Sequence, residues 1–185
     1  MMSESRDVVD LIEKDHREIE RLFELLRADP GQRDLAVTEV TALLVAHSRA
    51  EEAEVYPVAR DEAGETDEVA HSQEEHAEAE AILERLAAMD AHDPRYESVL
   101  RELVDSVGHH VEEEESTVLP GMRQRLSDER RAELGEAFLA ARAEHLGDRP
   151  GEATRADLAQ QARNLGVERT SGMTKDELRD EVTPD

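Results

Sequence analysis

The chain of 185 residues contains no cysteine. That absence excludes disulfides, iron–sulfur clusters, thiolate zinc sites and cysteine nucleophiles together. Any metal must be held by nitrogen and oxygen. Tryptophan is also missing and aromatics are 2% of residues, which leaves no platform for stacking bases. Positive charge is scarce: 22 Lys and Arg stand against 47 Asp and Glu, a formal charge of −25. A general binder of nucleic acid or anionic membrane needs clustered Lys and Arg, so that class is disfavoured. No apolar run approaches the roughly 18 residues of a membrane span. The start, MMSESRDVVDLIEKDH, has neither a basic leader nor an apolar core. The expectation is a cytoplasmic protein.

Hydrophobic residues reach 38%, enough for a packed interior despite the charge. They recur at spacings of three and four, the helical period, and strand signals are nearly absent. Glu, Ala, Leu and Arg, all good helix formers, dominate. Four long helices are expected, over residues 5–28, 33–62, 66–91 and 93–126. The second should kink near Pro57, and the fourth should start on an Asp93 N-cap followed by Pro94. A fifth helix follows Ser127 and ends near His145. Short connections make neighbours antiparallel, so the fold class expected is all-α: an up-down-up-down four-helix bundle, residues 1–146, with an added helix. Residues 147–152 read as a linker. Residues 153–185 read as a small two-helix tail, with N-terminal caps at Thr154 and Thr174.

The bundle contains a duplicated pattern. Residues 47–57 read HSRAEEAEVYP and residues 110–120 read HVEEEESTVLP. Both are His-x-x-x-Glu-Glu, with Val at the ninth place and Pro at the eleventh. Upstream, Asp15-His16 resembles Glu75-His76. Helices one and two therefore look like helices three and four.

His-x-x-x-Glu alone is weak in a chain with this much acid: His16, His47, His71, His76, His109 and His110 all have Glu at that offset. Helical phase discriminates, at roughly 100° per residue. His16 shares a face with Ile12, Ile19 and Phe23. His47 lies with Val40 and Leu43, His76 with Val69 and Leu83, and His110 with Leu103 and Val107. Glu51 and Glu114 fall inside the apolar stripes, whereas Glu20 and Glu80 fall to the edge. His71, His92, His109 and His145 should face water. Tyr56, one turn beyond Glu51 and next to Pro57, reads as a packing residue, with a role near a metal as the alternative. Six inward groups result: His16, His47, Glu51, His76, His110 and Glu114. One core histidine is ordinary, but four with two carboxylates are costly to bury without a cation.

Six donors are too many for one tetrahedral zinc and too rich in nitrogen for calcium or magnesium. They suit two octahedral first-row ions with both carboxylates bridging. Imidazole with carboxylate favours iron, then manganese. A ferritin-like site wants Glu-x-x-His on two helices. Only Glu13-x-x-His16 fits, because Gln73 and Val107 stand before His76 and His110.

The order His, His-x-x-x-Glu, His, His-x-x-x-Glu, with both Val-x-Pro elements, resembles the hemerythrin-like (HHE cation-binding) family over residues 7–145. The resemblance implies that the six residues hold two iron ions, with Glu51 and Glu114 bridging. Oxygen-carrying hemerythrins add a histidine four residues before the third-helix one, where this chain has Ser72. One ion therefore has an open position or takes a ligand from elsewhere. The small ligands implied are dioxygen, hydrogen peroxide or nitric oxide. Three functions share such a site: a carrier or sensor, an enzyme decomposing peroxide or oxidising nitric oxide, and an iron buffer. The tail resembles SAP and Rho N-terminal modules, which often bind nucleic acid. Over residues 146–185 it has six basic and nine acidic residues, so a protein partner is an equal expectation.

Overall fold

The computed structural model describes residues 6–184. Among them there is no strand, and no helix is long and apolar enough to cross a membrane. The bundle helices are α1 (Val8–Ala28), α2 (Arg33–Ala50), α3 (Tyr56–Asp61), α4 (Thr66–Ala87), α5 (Tyr96–Ser116) and α6 (Val118–Arg125). A fifth long helix, α7 (Asp128–His145), and a tail of α8 (Arg155–Asn164) and α9 (Lys175–Val182) follow. α1 packs on α2 and α4 on α5, giving the expected pair of hairpins, and α7 lies across α1 and α2.

The ends show where local chemistry wins. The expected start at Ser5 lies outside the described residues; Asp7 caps α1, accepting the Val9 amide at 2.9 Å. α5 starts at Tyr96, three residues past the expected cap, because Asp93 closes a preceding turn on the Arg95 amide. Ser127, Thr154 and Thr174 cap as expected, the last two as full capping boxes.

The expected kink near Pro57 is a wide π-helical turn at Glu51–Val55. Proline cannot donate to the carbonyl four residues back and its ring crowds that carbonyl, so the chain widens ahead of it. The fourth expected helix breaks at the matching place, at Thr117, just before the second Val-x-Pro.

Among the described residues the bundle holds two apolar clusters and the tail a third around Leu158 and Leu178. Of the bundle's two, one holds Ile19, Phe23, Leu83, Leu100 and Leu103; the other holds Ile12, Val55, Val69, Val118 and Phe138. His16, His47, His76 and His110 sit between them along their helices, forming a buried polar layer.

α7 seats closely because Gly135 faces the chain start: a Cβ there meets the Arg6 carbonyl oxygen at 1.9 Å. Gly135→Ala is expected to destabilise the fold by about 1–3 kcal/mol. Thermal denaturation checks it; an unchanged melting temperature contradicts this seating.

Candidate metal centre

All six expected residues meet in the polar layer, each buried. The four helices contribute one imidazole apiece, and every Nε2 points to the middle. Glu51 Oε2 stands 3.3 Å from His47 Nε2 and 3.2 Å from His76 Nε2. Glu114 Oε2 stands 3.2 Å from His16 Nε2 and 3.8 Å from His110 Nε2. Each carboxylate thus lies between an imidazole of one hairpin and an imidazole of the other. His16, His47 and Glu51 form one group of possible ligands; Glu51, His76 and His110 form a second, sharing Glu51.

The donor set fits cations. His16 Nε2, His47 Nε2, both Glu51 oxygens and Glu114 Oε2 are buried without a hydrogen-bond partner. An orphaned carboxylate in an apolar interior costs several kcal/mol, about what a bound cation relieves. Glu20 and Glu80 lie outside this layer, as their phase indicates: Glu20 pairs with Arg17 and Glu80 with Arg49.

Each imidazole is aimed by a carboxylate on its other nitrogen. Nδ1 of His16 meets Glu115 at 2.8 Å, that of His47 meets Asp15 at 3.1 Å, that of His76 meets Glu52 at 3.1 Å, and that of His110 meets Glu75 at 2.9 Å. Such partners fix the tautomer and turn Nε2 inward. Their pattern follows the duplication: the acid before His16 or His76 serves the next helix, and the second Glu of each Glu-Glu pair serves the other hairpin. Sequence reasoning missed these four acids, although the repeat contained them.

Two added elements reach this shell. Arg142 of α7 pairs with Asp15. From α8, Gln161 Nε2 donates to Glu52 at 2.9 Å, and Asn164 Nδ2 donates to the Glu52 carbonyl and to Gln73, each at 3.0 Å. Arg49 closes the Glu52 network from α2.

Tyr56 takes the alternative of its two expected roles, beside the centre. It is fully buried, with its hydroxyl 3.0 Å from His76 Nε2 and donating to Glu114 Oε1 at 3.3 Å. In a regular helix Tyr56 points about 140° away from Glu51. The π turn removes that offset, since the Tyr56 amide bonds back to the Glu51 carbonyl. Ser72, buried beside the phenol, leaves the space that the phenol fills. Burial and the charges of Glu114 and Glu51 push the phenol well above its usual range, so it stays protonated. A cavity of about 10 Å³ is lined by the four histidines and Ser48 with the aliphatic side chains of Ile19, Leu44, Ala79, Val107 and Val111. That is room for about one water-sized molecule.

With no cation between them, His16, His47 and His76 take protons more readily than free imidazoles. Burial works against this, but Glu51 and Asp15 push His47 up to about 10, and Glu51 with Glu52 pushes His76 up to about 10. Against burial, His47 and His76 hold Glu51 well below its usual range, while Arg49, His76 and Gln161 bring Glu52 to about 2. The histidine contribution is complete below the ordinary 6.5 and lost as pH climbs toward 10. The Glu51 contribution is present above the ordinary 4.5 and lost well below it. Chelator-stripped protein is therefore expected to melt highest between pH 4.5 and 6.5 and lower at each step toward pH 10. A melting temperature that is flat or rising above pH 6.5 contradicts this.

Comparison with known proteins bears on the family of the chain. A protein named DNA nickase, from Nostoc sp. (strain PCC 7120), is 32% identical over 152 residues, covering 81% of this chain. The chain spans 43% of that relative's length. No solved structure matches. The family described as "Hemerythrin HHE cation binding domain" matches residues 7–122, a stretch that contains all four histidines, both carboxylates and the four aiming acids. The chain belongs to the hemerythrin HHE cation-binding family.

Proposed function

We propose that the chain carries a non-haem di-iron centre and reacts there with dioxygen, hydrogen peroxide or nitric oxide. The observation that supports this reading is the set of five orphaned buried atoms on His16, His47, Glu51 and Glu114. In this reading His16 and His47 hold one ion, and His76 and His110 hold the other. Glu51 and Glu114 would serve both ions, and the Tyr56 hydroxyl would lie beside the position that Ser72 leaves. Imidazole with carboxylate suits iron ahead of manganese. The ions supply redox chemistry toward the small ligand.

The chain's own residues select and position. The cavity beside the four imidazoles has room for about one water-sized molecule, so only the smallest ligands reach the centre, and only with some movement of its wall. Its aliphatic wall keeps bulk water out, which strengthens the charge interactions inside. The Tyr56 phenol keeps a proton directed at Glu114, within one residue of the reacting space. Asp15, Glu52, Glu75 and Glu115 keep the imidazoles turned inward.

A sensing role without turnover is the second reading. The Gln161 and Asn164 contacts on Glu52 favour it, because they join the tail to the partner of His76. A change at the centre then alters how α8 is held. For the tail, a protein partner is favoured over DNA: the relative's name speaks of DNA, but this tail carries more acid than base.

Elemental analysis of protein purified after growth with iron is expected to give two irons per chain. Two manganese ions keep the site but overturn iron, and fewer than two metals overturns the di-iron reading. Oxygen evolution from hydrogen peroxide separates the functions: turnover that His110→Ala abolishes supports the enzyme, and iron-loaded protein without turnover supports the sensor. Asp15→Asn, which leaves all six inward residues in place, is expected to lower iron affinity or activity by about 10- to 100-fold.

A further inference from the structure

The sequence places two further His-x-x-x-Glu pairs beside the inner ones: His71 with Glu75 on α4, and His109 with Glu113 on α5. The four-residue spacing keeps each pair on one helix face. Both histidines are exposed, 52% and 62%, and neither takes part in the centre described above. The packing of α4 on α5 brings the two pairs together. His71 Nε2 lies 2.8 Å from Glu113 and 3.4 Å from Glu75; His109 Nε2 lies 3.2 Å from Glu113 and 3.5 Å from Glu75. One donor atom from each residue fits within 4.8 Å of all the others.

We propose that His71, Glu75, His109 and Glu113 form a second, mononuclear site for a first-row divalent cation on the outer face of α4 and α5. The separations suit that chemistry. With metal–nitrogen bonds of about 2.0 Å, tetrahedral ligand atoms stand about 3.3 Å apart. Two imidazoles and two carboxylates are a borderline-soft set, which selects zinc, cobalt(II) or iron(II) over calcium and magnesium.

Glu75 supplies the independent observation. It is only 7% exposed, and its Oε1 is buried with no hydrogen-bond partner. That atom faces the two exposed imidazoles, while its other oxygen, Oε2, accepts from His110 Nδ1. A surface ion pair needs no desolvated oxygen; a cation ligand does. The same carboxylate therefore touches both sites, and a cation outside draws its charge away from His110. The net charge of −25 raises the local concentration of divalent cations at such a surface.

Cobalt(II) is the probe, because four-coordinate cobalt shows intense visible bands and six-coordinate cobalt does not. The full chain and a His71→Ala/His109→Ala variant are titrated in parallel, and the inner metal content is measured separately. Both substituted side chains are exposed, and far-ultraviolet circular dichroism checks that the variant stays folded; the single His109→Ala variant stands in should it not. The wild type is expected to bind one cobalt more than the variant, and the difference spectrum is expected to show the four-coordinate bands. The difference is one whatever fills the inner centre, so failure here is separate from failure of the di-iron reading. Equal stoichiometry overturns the outer site, as does an extra cobalt without those bands, which marks loose binding to surface acid.

Discussion

Buried negative charge needs a positive partner, and the arrangement of this bundle follows from that need. Glu51 and Glu114 lie fully buried between two apolar clusters. Either alone costs several kcal/mol unless neutralised. Protons on His47 and His76 meet the demand in the metal-free state; in the proposed metal-bound state cations would meet it instead. Both use the same imidazoles, so proton release and metal uptake are opposite sides of one exchange.

That exchange is held in place by carboxylates one layer out. Asp15, Glu52, Glu75 and Glu115 each grip an Nδ1, and each is itself tied to something further away. Arg142 ties Asp15 to α7, and Arg17 ties Glu115 to α1. Gln161 and Asn164 tie Glu52 to the tail. The exposed pair His71 and His109 faces Glu75. The elements outside the four-helix core therefore bear on the centre through hydrogen-bonded acids.

The helices, their hairpin order and the inward histidines were legible because each is a periodic signal: a Leu or Val recurs with the histidine, and phase alone separates His110 from His109. The duplication made Glu51 and Glu114 stand out. For Tyr56 packing was the favoured reading over a role near the metal, because the π turn at Glu51–Val55 shifts the phase on which the reading depends. The aiming acids were not legible. With 47 acids in the chain, an Asp before a histidine carries little information until its neighbour across the bundle is known. Gln161 and Asn164 gave no signal at all, since a buried amide in a short polar helix looks like any exposed one. Here tertiary packing, not local preference, decides the role.

The central claim is that two cations sit among His16, His47, Glu51, His76, His110 and Glu114. Anomalous diffraction from a crystal, recorded on either side of the iron absorption edge, tests it directly. The account predicts two iron peaks between the four Nε2 atoms, about 3.5 Å apart as in other paired-metal sites. A single peak, no peak, or iron confined to the protein surface contradicts it.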